Sequence, residues 1–167
     1  MPIVDTLLPE FDHEMAGTRR MLEAVPGADA AWKPHAKSST LGDLASHIAT
    51  LPLWGRVTLE RTELDLGIPE NAKLAGASFT TTPALVERFD RNVRDARVAL
   101  AAASDADLAV NWTLKNGGTT VFSMPRAAVL RGFVLSHLIH HRAQLSVYLR
   151  LRDVPLPSLY GPTADTR

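Results

Sequence analysis

Apolar residues Ile3, Leu7, Leu8, Phe11, Met15 and Leu22 recur at three- and four-residue steps, with Asp12, His13, Glu14, Arg19 and Arg20 between them. An α-helix gathers such positions onto one face, so the pattern predicts a first helix over about residues 2–25. Pro26-Gly27 ends it, and Trp32-Lys33-Pro34-His35 reads as an extended connector, because the residue before a proline is disfavoured in α geometry. Leu41, Leu44, Ile48, Leu51, Trp54 and Leu59 repeat the helical spacing behind Ser38-Ser39-Thr40. These three are N-cap residues, and Asp43 follows Thr40 by three positions as in a capping box. The second helix is therefore expected over about residues 40–65, kinked at Pro52, where a backbone N–H is missing.

Residues 67–82, with Pro69, Gly76 and a threonine run, carry no period and read as a crossing loop. Thr82-Pro83 opens a third helix, with Leu85, Phe89, Val93, Ala96 and Leu100 on one face. Val110–Leu114 and Thr119–Phe122 then flank Lys115-Asn116-Gly117-Gly118, which predicts a small β-hairpin turning at Asn-Gly. Two strands alone are marginal, so the pair must lean on the helices. A fourth helix is expected over about 125–152, through Leu130, Val134, His137, Leu138, His141, Leu145, Tyr148 and Leu149. The Pro155–Pro162 tail cannot continue it and is expected to pack as an extended segment. The expected fold is all-α, a four-helix bundle with a small β-hairpin before the last helix, forming one domain over residues 1–167.

A chain of 167 residues, 46% hydrophobic and 22% charged, has ordinary globular proportions and needs no staple to fold. Eighteen basic against eighteen acidic residues give zero net charge, so neither nucleic acid nor a membrane is expected as a partner. No leader pattern and no membrane-length apolar run is present, and a cytoplasmic protein is expected. With no cysteine, the chain has no disulfide, no thiolate ligand and no Cys nucleophile, and any thiol chemistry must use an external thiol.

The chemistry lies in the histidines. His137 and His141, one helical turn apart, are separated by about 40° around the axis and can grip one ion. They share a stripe with Leu130, Val134, Leu145 and Tyr148, so both are expected to point into the core. His47 lies on the stripe of Leu44, Leu51 and Trp54 and points inward as well. Three inward imidazoles on two helices suit zinc, nickel or a similar ion, with positions left open for water or substrate. The plainer alternative for any one of them is a core histidine bonded to a carbonyl. His140 is rotated about 100° from His141 and should face a neighbouring helix or the rim, while His13 and His35 read as surface residues. Trp54, Tyr148 and Met124 are candidates for lining a pocket, although such residues at helical spacing are more often core.

The run Ser136-His137-Leu-Ile-His140-His141-Arg142-Ala-Gln144-Leu145, with Tyr148-Leu149-Arg150, Val154-Pro-Leu-Pro and Leu159-Tyr160-Gly161-Pro162, resembles the C-terminal signature of the DinB family. Gly42-Asp43-Leu44-Ala-Ser-His47-Ile resembles the family's helix-two segment. The resemblance implies a four-helix bundle of unusual connectivity that holds a divalent ion through one helix-two and two helix-four histidines. These map onto His47, His137 and His141. It also implies a metal-dependent enzyme, often dimeric, among whose relatives are transferases and isomerases using low-molecular-weight thiols such as bacillithiol or mycothiol. Arg142 and Gln144 match the family run, and either would orient a histidine or the substrate. The plain reading of Arg142 is a solvated surface charge.

The leading expectation is a thiol transferase acting on an electrophilic small molecule, with the thiol activated at the ion's open position. Metal-assisted hydrolysis and a non-catalytic metal-stabilised bundle are the competing readings. An acid or base beside the open position would mark a hydrolase, and spacing alone does not put Asp43, Glu60 or Glu63 there.

Overall fold

A computed structural model describes residues 1–166, apart from the side chains of residues 72, 73 and 75. Three long helices come first: α1 (Val4–Glu23), α2 (Leu41–Glu60) and α3 (Thr82–Ala101). α2 and α3 start on the side-chain caps that orphaned N–H groups need. Thr40 Oγ1 accepts from Asp43 N at 3.1 Å, and Thr81 Oγ1 accepts from Ala84 N at 3.3 Å. Thr82 Oγ1 donates to Val25 O at 2.7 Å, tying the start of α3 to the end of α1. A short α4 (Asp105–Ala109), closed by a Ser104/Asp107 capping box, was not legible in the apolar pattern.

The last helical run changes pitch twice. It opens as α5 (Arg126–Ala128), widens into a π-helical stretch over Val129–Ser136, and returns to α geometry in α6 (His137–Arg150). A π-helix bonds residue i to i+5, so residues five apart come onto nearly the same face. That is why Val129 and Val134, and likewise Leu130 and Leu135, are buried together. From Leu138 onward the buried positions, Arg142, Leu145, Tyr148 and Leu149, return to the spacing of an α-helical face. Ser136 Oγ donates to the carbonyl of Arg131 at 2.9 Å, satisfying an acceptor in the widened turn.

α2 ends at Glu60, five residues short of the expected boundary. Arg61 is extended and Glu63–Asp65 forms strand β1 instead. β1 pairs in parallel with β2 (Asn111–Asn116), which pairs antiparallel with β3 (Thr119–Pro125). The β2–β3 turn is centred on Gly117-Gly118, one residue beyond the expected Asn-Gly, because Asn116 still pairs with Thr119 in the ladder; the two glycines have φ of 58° and 80°, the left-handed conformation that two-residue turns of this kind require at both positions. Asp65 clamps it to β1: its carboxylate accepts from Gly117 N at 2.8 Å and Gly118 N at 2.7 Å.

Within the stretch read as a crossing loop, Pro69–Ala75 forms a 3-10 helix that packs on α2, where Trp54 Nε1 donates to Leu74 O at 3.0 Å. α2 packs against α3 and α6, and α1 against α3 and α6. The main core lies among them, built on residues such as Phe11, Leu22, Ile48, Phe89 and Leu138. A second cluster, Val57, Leu64, Trp112, Leu114 and Val129, lies under the sheet, with Trp54, Phe122, Met124 and Phe133 packed against it. The molecule is thus mostly helical with a small three-stranded sheet. Among the described residues no helix is long and apolar enough to cross a membrane.

Candidate metal centre

α2 contributes His47 and α6 contributes His137 and His141, one turn apart on the face that meets α2. Their ring centroids are 5.0 Å apart for His47–His137 and 4.7 Å for each of the other two pairs. One nitrogen from each residue lies within 4.8 Å of the other two, so the group can hold a metal ion. All three side chains are half-buried. This corrects the expectation of a core site: the cluster sits at the rim of the α2–α6 interface, with one side toward solvent.

The hydrogen bonds fit the donor set to a cation. His137 Nδ1 is 3.3 Å from the main-chain carbonyl of Phe133, and His141 Nδ1 is 3.0 Å from Gln144 Oε1. Both partner atoms only accept, so each Nδ1 carries a proton, and in the neutral ring Nε2 is then the nitrogen with the free lone pair. His47 Nε2 lies 3.3 Å from His137 Nε2. Two nitrogens bound at about 2.0–2.1 Å to a tetrahedral ion stand about 3.3–3.4 Å apart, so the spacing matches two ligands of one ion.

The electrostatics agree. Burial, followed by the charges that His141 and His137 would carry, pushes the His47 pKa down to about 4. Burial and the neighbouring His141 lower that of His137 too, against a weaker opposing effect of the Phe133 carbonyl. Both rings are therefore neutral near pH 7, the form that binds metals. No carboxylate is among the groups acting on either ring. Of the acids considered from sequence, Glu60 pairs with Arg56 at 3.7 Å and Glu63 with Lys115 at 2.7 Å, while Asp43 is exposed in the first turn of α2.

Phe133, which the apolar pattern did not single out, packs its ring 5.7 Å from His137 and 5.5 Å from Trp54. Its i+4 spacing to His137 is the signal that would have found it. Trp54 thus stands one ring removed from the cluster, and Met124 packs in the sheet-side cluster with Phe133. Tyr148 is buried in the main core, edge-on to Trp32 with centroids 5.7 Å apart. His140 is exposed, its ring 4.9 Å from His141, and His13 and His35 are exposed as expected.

Arg142 is not the solvated charge its sequence context suggested. It is 2% exposed, and Glu14 on α1 is 6% exposed. Arg142 Nη2 donates to Glu14 Oε2 at 2.6 Å and Nη1 to Thr18 Oγ1 at 3.2 Å. The Tyr160 hydroxyl from the tail bridges the pair, donating to Glu14 Oε1 and Oε2 at 2.9 and 2.8 Å while accepting from Arg142. Gly17 makes room, since a Cβ there would stand 3.2 Å from Arg142 Nη1 and 3.3 Å from Leu159.

Fold and site together describe a helical protein that gathers three imidazoles, two of them with their Nδ1 engaged by acceptors, at a partly open helix interface. A family model described as the DinB superfamily matches residues 10–145. The chain belongs to the DinB superfamily. A crystal structure of a DinB-like protein from Bacillus cereus ATCC 10987 superposes with a TM-score of 0.71 at 22% identity, covering 95% of this chain and 98% of that one. A DinB-like protein from Bacillus subtilis gives 0.68 at 19% identity, covering 92% and 96%. At these identities the likeness concerns the fold. A search of curated proteins finds no match.

Proposed function

We propose that this protein is a divalent-metal-dependent enzyme that transfers a low-molecular-weight thiol to an electrophilic small molecule. Zinc or nickel would be held by His47, His137 and His141, and the four long helices would serve as a four-helix bundle scaffold. The observation that carries the reading is the convergence of the three imidazoles with two Nδ1 protons already committed to acceptors.

When bound, such an ion supplies Lewis acidity that lowers the pKa of a thiol or water and stabilises developing negative charge. The residues of the chain set the rest. Three neutral ligands leave the cation's charge uncompensated, and no carboxylate acts on His47 or His137. An anionic partner such as a thiolate is therefore favoured in the open position. With such an ion bound, a thiol there would release its proton to solvent, and its sulfur would form the S–C bond to the electrophilic carbon while the leaving group departs with its electron pair. Phe133 supplies an apolar wall beside His137, excluding water on that side. Half-burial of all three histidines leaves the approach that a closed structural site would lack.

A second reading, metal-assisted hydrolysis, draws on the exposed His140 beside His141, a base at the rim that could accept a proton from water. One experiment orders the readings. Metal content by mass spectrometry is measured for the untagged protein and its His47→Ala, His137→Ala and His141→Ala variants, and the loaded protein is then incubated with thiols and electrophiles. About one ion per chain, lost in each variant, with thiol consumed only by the loaded wild type, is the expected result. A metal-free wild type overturns the site; a loaded protein that consumes no thiol but hydrolyses ester or amide probes favours the second reading.

A further inference from the structure

His137 and His141 have their tautomers fixed by different means. The acceptor for His137 is the main-chain carbonyl of Phe133, at 3.3 Å in the π-helical stretch, and no side-chain replacement removes it. The acceptor for His141 is one exposed side chain, the Gln144 amide, whose Oε1 lies 3.0 Å from Nδ1. Residues three apart on a helix are neighbours, so α6 itself brings the pair together. Without that acceptor nothing among the described residues holds the proton on Nδ1, and an imidazole free to place its proton on either nitrogen offers the Nε2 lone pair only part of the time.

We propose that Gln144 is the positioning residue of His141, fixing the Nδ1–H tautomer so that Nε2 is the nitrogen presented to the cluster. The inference rests on the metal-site reading for its consequence, but its geometry stands without it. An exposed glutamine on a helix surface contributes little to folding, so its effect appears at the site rather than in stability. Partners of the second nitrogen of a ligating histidine typically matter 10–100-fold in metal affinity. The amide is also replaceable in kind: a glutamate at 144 keeps an acceptor within reach, whereas a leucine of similar size offers none.

The test compares wild type with Gln144→Leu and Gln144→Glu. In the metal-free proteins, ¹⁵N resonances of the His141 ring report its tautomer. The Nδ1–H form is expected in wild type and Gln144→Glu, and a mixture or the Nε2–H form in Gln144→Leu. Zinc affinity, read by competition with a chromogenic chelator, is expected to fall about 10–100-fold in Gln144→Leu and to be restored in Gln144→Glu, with the thermal unfolding of all three metal-free proteins alike. Unchanged ring resonances in Gln144→Leu, or zinc affinity equal to wild type, overturn the proposal. If wild type itself takes up no zinc, the metal reading falls, and the tautomer comparison alone decides the role of Gln144.

Discussion

His141 and Arg142 are consecutive on α6 and look toward different neighbours, His141 to the half-open cluster with His47 of α2 and Arg142 to Glu14 of α1. Both are polar groups withdrawn from water, but they are treated in opposite ways. Around Arg142 the charge is matched by a carboxylate, a hydroxyl and a main-chain carbonyl, and the pair is almost wholly enclosed. Around His141 no counter-charge was identified among the described residues; instead, donors are engaged on one side of each α6 ring and lone pairs are left on the other. A buried polar group that is satisfied holds helices together, whereas a convergent set that is left unsatisfied is available to a ligand.

The contrast is broken most forcefully on the structural side. Glu14→Ala leaves the Arg142 guanidinium enclosed without its carboxylate and is expected to cost about 3–5 kcal/mol in chemical denaturation. The double replacement Glu14→Leu with Arg142→Met should recover most of that loss, because no charge is then stranded. If Glu14→Ala is as stable as wild type, the pair is not the clamp described.

On the site side, the main expected effect appears when metal is added. Zinc at a hundredfold excess over its dissociation constant should stabilise wild type by about 2.7 kcal/mol and leave His47→Ala, His137→Ala and His141→Ala unmoved. Thermal unfolding with and without zinc measures this, and equal shifts in all four proteins would place the ion elsewhere.

Tyr160→Phe removes one bridging hydroxyl while the ion pair stays intact, so a loss of about 1 kcal/mol is expected with zinc affinity unchanged. Burial, then the hydrogen bond to Glu14, raises the Tyr160 pKa, which keeps the phenol protonated as a donor at neutral pH.

The last effect is in pH. His47 titrates at about 4 in the folded protein against an ordinary 6.5. Between these values the unfolded chain binds more protons, so this contribution is complete above about pH 6.5 and is lost as pH falls toward about 4. Denaturation of the metal-free protein across that window should show a shallower decline in His47→Ala than in wild type.

Much of this was legible in the chain. The three- and four-residue apolar steps located α1, α2, α3 and the last helix, and Thr40 marked the start of α2 through a cap that the structure contains. The stripe argument brought His47, His137 and His141 together. It placed them too deep, because a stripe gives direction around a helix and not depth beneath the surface. Val129 with Val134, and Leu130 with Leu135, carried a five-residue spacing that a uniform 100° per residue obscures. β1 was beyond reach: three residues with one buried leucine form a strand only where β2 supplies the hydrogen bonds.

Spacing and local stereochemistry within a few residues were enough to mark the long helices, a glycine turn within one residue of its place and the three imidazoles. Which polar groups are answered followed from long-range packing. Glu14 meets Arg142 across 128 positions of chain, and Tyr160 meets Glu14 across 146. Whether a charge or a lone pair finds its partner depends on which helices pack face to face, and that is settled by burial of the whole apolar surface rather than by any local run of residues.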